Sequence, residues 1–332
     1  MGFAAGGEAA AVSARFHARL HLGFLDLDGA LGRRFGSLGL SIAAPAGHMT
    51  LQRARATHVE GPESERASRY LAATLLRLSL PGQYRLAIHD AIPPHAGLGS
   101  GTQLALAVAA SLRRLNGLAP DASADAAALG RGARSGVGVG LFELGGFVVD
   151  GGRGTATATP PIVARLEFPA DWRVVLVLDP GGVGVHGEAE REAFKALPPM
   201  PGSQAAEICR LTLMQALPSL AERDIGNFGA AIAEIQRRLG DYFAPFQGGR
   251  RFASAGVGAV VEALARAGAH GAGQSSWGPT GFAFAANAGE AERLAKLARG
   301  LPGAKGLEIR VVAGNNRGCE VASANAGARA AE

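Results

Sequence analysis

"IPPHAGLGSGTQLALAVAASL", Ile92–Leu112, decides how this chain is read. Two prolines open it, Gly97, Gly99 and Gly101 follow, and then a run of small and apolar residues begins. The strand-like "YRLAIHD", 84–90, precedes it. The order is therefore strand, glycine-rich loop, helix. Glycine lets a backbone approach an anion closely, and the first N–H groups of a helix point at it. No Gly-Lys-Ser or Gly-Lys-Thr occurs, which excludes a P-loop. Thr102 stands where the dinucleotide fingerprint needs its last glycine, which excludes that motif too. Gly97, Gly99, Ser100, Gly101 and Thr102 are the candidate anion site.

Upstream, "ARFHARLHL" alternates strictly: Phe16, Ala18, Leu20 and Leu22 take one face, and Arg15, His17, Arg19 and His21 the other. Four basic or titratable groups on one face suit either water or an anion opposite them. "DLDG", 26–29, reads as a turn, and Ser37 stands where a calcium loop would need Glu. Asp26 is the candidate for a Mg²⁺–diphosphate site. Arg131 and Arg134 lie in a second glycine cluster, "RGARSGVGVGLFELGGFVVDGG", and their guanidinium forks match phosphate oxygens. His186 sits in "DPGGVGVHGEAEREAF" with no apolar stripe to explain it, whereas Glu188 and Glu190 read as dipole partners of the next helix.

Composition bounds the alternatives. The 332 residues are 48% hydrophobic and 18% charged, enough for two domains with a sizeable core. The net charge of +5 suits an anionic ligand, but only 6% of residues are aromatic, and basic and aromatic residues do not interleave as in single-strand binders, so no nucleic acid is expected. No apolar stretch is long enough to span a membrane, and the N-terminus lacks the features of a signal peptide. Cys209 and Cys319 are far apart and form no zinc spacing, which suggests a cytoplasmic protein.

Along the chain, a helix capped by Ser64 is expected to run to Pro81-Gly82, and the helix after the glycine loop to end at Asn116 with Gly117 just beyond. "WRVVLVLD" reads as a buried strand, followed by helices near 188–197, 204–221, 225–239 and 257–267. "GAGQSSWGPTGFAFAAN" reads as two strands joined by a Gly/Ser loop, and a helix at 290–299 and the strand "GLEIRVVAG" close the block. This predicts α+β architecture, with residues 14–168 and 169–321 as two domains and 1–13 and 322–332 as mobile tails.

These stretches together resemble the GHMP superfamily of galacto-, homoserine, mevalonate and phosphomevalonate kinases. The resemblance rests on the basic first strand, on "PPHAGLGSGTQ" and on the late loop "GQSSWGPTGF". It implies a ribosomal-protein-like α+β N-terminal domain, a ferredoxin-like C-terminal domain and a site between them that includes Ser275 and Ser276. Two departures speak against kinase chemistry. Gly101 replaces the second Ser of Gly-Leu-Gly-Ser-Ser, which helps hold magnesium–ATP, and Gly138 replaces the catalytic Asp of Ser-Gly-Val-Asp.

Through "RFHARLHLGFLDLDGALGRRFGSLGLSI", "PPHAGLGSGTQLALA", "RGARSGVGVGLFELGGFVVDGG" and "SSWGPTGF" the chain closely resembles one branch, the β-ribofuranosylaminobenzene 5′-phosphate synthase family of tetrahydromethanopterin biosynthesis. That similarity implies condensation of 5-phosphoribosyl 1-diphosphate with 4-aminobenzoate or 4-hydroxybenzoate, with release of diphosphate and CO2. It also implies Mg²⁺ as cofactor. Arg19, His21, Arg134 and His186 are the expected catalytic residues, and Arg15, His17 and the two loops the expected phosphate binders. A homodimer is the expected assembly. The alternatives are an ATP-dependent small-molecule kinase and a non-catalytic nucleotide-binding regulator.

Overall fold

The computed structural model describes residues 11–324 apart from 183, 185 and 186. In chain order the elements are β1 (Ala11–Asp26), β2 (Phe35–Ala54), β3 (His58–Glu60), α1 (Ser64–Leu78), β4 (Gln83–Asp90), α2 (Ser100–Leu115), α3 (Ala122–Ala128), α4 (Val137–Leu144), β5 (Phe147–Asp150) and β6 (Ile162–Leu166). Then come β7 (Arg173–Leu178), α5 (Gly187–Ala196), α6 (Gly202–Leu211), α7 (Leu217–Ala221), α8 (Ile225–Phe243), α9 (Ala255–Arg266), β8 (Ala272–Gln274), β9 (Gly281–Ala285), α10 (Ala288–Arg299), β10 (Glu308–Ala313) and β11 (Glu320–Ala324).

The first sheet grows from the alternating strand. Phe16, Ala18, Leu20 and Leu22 of β1 are fully buried beside Leu104, Ala107 and Val108 of α2. Each large side chain removed from water there contributes about 1.5–3 kcal/mol. The strand order is β11-β1-β2-β4-β3, and β5 and β6 extend the sheet from the other half of β2.

The second sheet is antiparallel in the order β10-β7-β9-β8. Numbered within their own unit, these strands run 4-1-3-2 with α9 and α10 in the connections, the ferredoxin-like arrangement. The apolar run of β7 divides by alternation: Val174, Leu176 and Leu178 join the main core, while Val175 and Val177 pack with α9 and α10. Phe282 and Phe284 of β9 face the main core and Ala283 and Ala285 the helices. One core therefore joins both sheets and fixes the second against the first.

Several expectations are corrected. Residues 11–13 and 322–324 are not tails: β11 pairs with β1 from Ala11↔Ala324 to Arg15↔Glu320. The last strand thus belongs to the first sheet. Ser64 does not cap α1; Glu63 takes that position in the left-handed conformation, with no side-chain cap. The glycine-rich stretch 131–152 holds a helix and a strand, α4 and β5. The helix expected at 204–221 is interrupted by a π-turn at Thr212–Ala216. No helix among the described residues is long and apolar enough to cross a membrane.

Candidate active site

Three sequence-distant segments are stitched together around Gly97. The Arg19 N–H donates to Leu98 O at 3.0 Å, and Arg19 Nη1 to Gly97 O at 2.7 Å. Ser275 Oγ donates to the same carbonyl at 2.7 Å and accepts from His21 N at 3.0 Å. Ser276 N donates to His21 O at 3.1 Å. The first strand, the central glycine loop and the late loop therefore meet through backbone as much as through side chains. Gly97 is required by both conformation and space: its φ is +76°, and a Cβ would lie 2.6 Å from Ser275 O.

Above this junction opens a cleft of about 1390 Å³ bordered by the first turn of α2, Ser100–Thr102. Arg19, Arg34, Arg66, Arg69, Arg131, Arg134 and Lys195 line it, against the carboxylates of Asp28 and Glu190. Glu190 pairs with Arg134 at 2.6 Å, and the Arg134 guanidinium lies 5.0 Å from the Phe194 ring centre. Arg131 bonds the Tyr70 hydroxyl and lies 5.4 Å over its ring. Burial lowers the pKa of Arg19 to about 10, with Glu190 pulling the other way. Burial also pushes His21 down to about 3, helped by the Arg19 and Arg134 charges. His21 is therefore a neutral imidazole throughout the physiological range.

The rest of the lining is aromatic, with the Arg134 and Arg34 guanidinium groups over the Phe194 and Phe35 rings. Phe24, Phe35, Phe194 and Trp277 border the cleft with Leu27 and Leu197. Phe24 lies 5.6 Å from Phe194 and 5.9 Å from Phe35, and Phe194 lies 5.5 Å from Trp277. These tilted and edge-on pairs each add about 0.5–1.5 kcal/mol beyond burial. A smaller cavity of about 160 Å³ shares His21, Phe24, Ser276 and Trp277 with the cleft.

The comparisons with known proteins agree with this geometry. Residues 65–146 match the family described as GHMP kinases N terminal domain, and residues 216–298 match GHMP kinases C terminal. The chain is 34% identical to a β-ribofuranosylphenol 5′-phosphate synthase of Archaeoglobus fulgidus, over 92% of this chain and 98% of that protein. It is 31% identical to the synthase of that name from Methanothermobacter thermautotrophicus, covering 79% and 84% of the two chains. The chain belongs to this synthase family. Among solved structures it is similar to a homoserine kinase from Cytophaga hutchinsonii (TM-score 0.67, 17% identity, 97% of this chain and 100% of that one). It is also similar to the phosphomevalonate kinase of Streptococcus pneumoniae (TM-score 0.69, 12% identity, 91% and 99%). Those two likenesses show the GHMP fold.

Within this synthase fold, the two glycines that replace kinase groups have structural partners. The Arg131 guanidinium covers Gly101, 3.4 Å from where a Cβ would be. A Cβ on Gly138 would come within 3.0 Å of the Thr102 side chain, so a carboxylate there requires Thr102 to move.

The structure brings Arg19, His21, Arg134, Gly97, Gly99, Ser100, Gly101, Thr102 and Ser276 to the cleft. Arg15 and His17 do not border it: Arg15 is exposed opposite His48 and Glu320, and His17 Nδ1 bonds Ala43 O at 3.3 Å. They lie farther back along β1, beyond the point where the strand meets the loop at Arg19. Ser275 is fully buried, its hydroxyl engaged by His21 and Gly97. Asp26 is also absent from the lining; its Oδ1 accepts from Asp28 N and Gly29 N at 2.8 and 2.9 Å, which makes it a turn residue. Among the described residues no three His, Cys, Asp or Glu side chains are grouped to hold a metal, and Asp28 and Glu190 are the carboxylates that border the cleft. His186 lies outside the described residues.

Sequence reading missed Arg66 and Arg69, whose helical spacing puts both on one side of α1. It also missed the aromatic wall and Asp150. Asp150 is fully buried and accepts from Gly136 N at 2.9 Å and Ser135 Oγ at 3.2 Å, which holds the turn after Arg134. Burial pushes its carboxyl up, against those hydrogen bonds.

Proposed function

We propose that this enzyme condenses 5-phosphoribosyl 1-diphosphate with 4-hydroxybenzoate, releasing diphosphate and CO2, in tetrahydromethanopterin biosynthesis. The observation that carries this reading is a cleft whose lining combines cationic side chains and a glycine-rich loop with a group of aromatic rings, and which has glycine where a kinase keeps its metal and base groups. The donor is a polyanion and the acceptor a flat ring, and each matches one part of that lining. The relatives' name, with its ribofuranosylphenol product, favours the hydroxy acid over 4-aminobenzoate as acceptor.

The step balances without an added reagent. The bond from ribose C1 to the diphosphate oxygen breaks, and the electron pair leaves with diphosphate. The ring carbon that carries the carboxylate forms the new bond to C1. The ring-to-carboxylate bond then breaks, CO2 leaves, and its electrons restore aromaticity. Arg19, Arg131 and Arg134 neutralise the departing charge, with charge-assisted bonds contributing about 1.5–3 kcal/mol each. The first turn of α2 adds backbone N–H groups. Holding both reactants in one cleft supplies the orientation a two-substrate reaction needs. Mg²⁺ would arrive chelated by the donor's diphosphate. Both cysteines are free, which suits a reducing, cytoplasmic setting.

The test is incubation with donor, Mg²⁺ and carboxyl-labelled 4-hydroxybenzoate, without ATP. Labelled CO2 in step with diphosphate is the expected result. No labelled CO2 from either the hydroxy or the amino acid would reject the reading, and ADP formation from a small alcohol when ATP is supplied would put a kinase in its place.

A further inference from the structure

Buried polar atoms without partners concentrate at the cleft. Seven such side-chain atoms occur among the described residues, and four belong to residues that line it: Arg19 Nε, Arg131 Nε, His21 Nε2 and Trp277 Nε1. Folded proteins satisfy nearly all such groups, so a cluster of exceptions beside one cavity marks where a ligand completes the bonding. The two guanidinium N–H groups belong to the cationic half and suit phosphate oxygens. His21 and Trp277 belong to the aromatic half, only 4% and 3% exposed.

The two are near neighbours. Ser276 N bonds His21 O at 3.1 Å, and Trp277 is the next residue. Both border the cleft and the smaller cavity beside it. The imidazole is neutral, so one ring nitrogen carries a lone pair, and with the proton on Nδ1 that lone pair is on Nε2. Indole Nε1 is a donor only. The pair therefore supplies one acceptor and one donor on residues that border the same two cavities. A phenolic hydroxyl complements both, donating to His21 and accepting from Trp277. An aromatic amine complements one, because its nitrogen lone pair is delocalised into the ring and accepts poorly.

We propose that His21 and Trp277 read the para substituent of the aromatic acceptor and select a hydroxyl over an amino group. This rests on the synthase reading above and adds the specificity-determining residues. A hydroxyl that donates to His21 also pushes electron density toward the para carbon, the one that attacks C1, so recognition and activation use the same bond. A site built to bond a hydroxyl rejects the analogue that leaves one of its groups unpaired.

The experiment compares kcat/KM for 4-hydroxybenzoate and 4-aminobenzoate in the wild type, Trp277→Phe and His21→Phe. The wild type should prefer the hydroxy acid, and Trp277→Phe, which keeps a ring but removes the donor, should lower that preference about tenfold. His21→Phe should lower kcat/KM for both acceptors, because both donate to the lone pair. A wild type that forms neither product would reject the synthase reading itself. An active wild type whose preference Trp277→Phe leaves within twofold would overturn this assignment alone. Binding gives a second measure that keeps both His21 and Trp277 in place. In a Trp172→Phe background only Trp277 fluoresces, and 4-hydroxybenzoate should change its emission; an unchanged spectrum at saturating acceptor would also overturn the assignment.

Discussion

The two halves of the cleft are built in opposite ways. The cationic half is backbone first: glycines at positive φ, a helix start, and Arg19 anchored to the Gly97 carbonyl. The aromatic half is side chains only, with Phe24, Phe35, Phe194 and Trp277 arriving from four separate segments. A backbone cradle tolerates little change at Gly97 and Gly99, where a Cβ would come within 2.6 and 3.0 Å of other atoms. A wall of packed rings loses one ring at a time. Substitutions in the first half should therefore cost far more than those in the second.

Gly99→Val tests the first half most severely. Gly99 has φ +79°, and a Cβ would come within 3.0 Å of the Arg19 guanidinium. The variant should keep its circular dichroism and lose roughly a hundredfold in kcat/KM for the donor, about 2.7 kcal/mol, through backbone strain and a displaced arginine. Arg19→Ala should fall in the same range, because it removes a charge and leaves Gly97 O with one donor fewer. Arg15→Ala, on the same strand but away from the cleft, should stay within twofold. Equal losses at Arg15 and Arg19 would erase the distinction between strand and site.

Phe194→Ala tests the second half. It removes an edge contact to both Phe24 and Trp277 and the face beneath Arg134. The acceptor KM should rise roughly tenfold, about 1.4 kcal/mol, while the donor Kd from calorimetry changes much less. A larger effect on the donor than on the acceptor would mean that the rings support the arginines and do not hold the acceptor.

The same contrast explains what the sequence shows on its own. The strand–glycine–helix order, the alternation of 14–22 and the late Gly/Ser loop are local patterns, and each became the expected element. The aromatic wall has no local pattern. Phe24 and Phe35 flank a turn, Phe194 lies on an amphipathic helix and Trp277 in a loop, and only the tertiary fold brings them together. Arg15 and His17 were misplaced for a related reason. Alternation gives the face of a strand but not how far along it the ligand lies, and the junction with the glycine loop begins at Arg19. Asp26 looked like a metal ligand because a carboxylate followed by Leu-Asp-Gly fits both a turn and a cation loop; its hydrogen bonds are those of the turn.

His21 lies where the halves meet, and its burial has a measurable signature. Its folded pKa, about 3, is below the unfolded value of 6.5, so between those limits the unfolded chain binds more protons. Stability contributed by the neutral imidazole is therefore present above about pH 6.5 and is lost as pH falls, with a slope of roughly 1.4 kcal/mol per pH unit. His21→Phe should show a shallower loss of denaturant stability from pH 6.5 to pH 4.5 than the wild type. Parallel pH profiles would mean that the imidazole is hydrated and charged at mild acidity, and the acceptor lone pair would be lost with it.

The smallest expected effect concerns the metal. The proposed Mg²⁺ is expected to come with the donor's diphosphate, because Asp26 uses its Oδ1 for two backbone N–H groups and no three metal-binding side chains are grouped among the described residues. Chelation should lower activity in proportion to the free donor it creates, and excess Mg²⁺ should restore it. Asp26→Asn retains an oxygen that can accept the same two bonds, so the turn survives and only the negative charge is lost. The apparent Mg²⁺ constant of this variant, measured at fixed donor, should match the wild type within twofold. A tenfold rise with unchanged thermal stability would place Asp26 on the metal and extend the cationic half of the cleft to the turn after β1. An unchanged constant leaves that half as it is built here, from arginine, glycine and the start of α2.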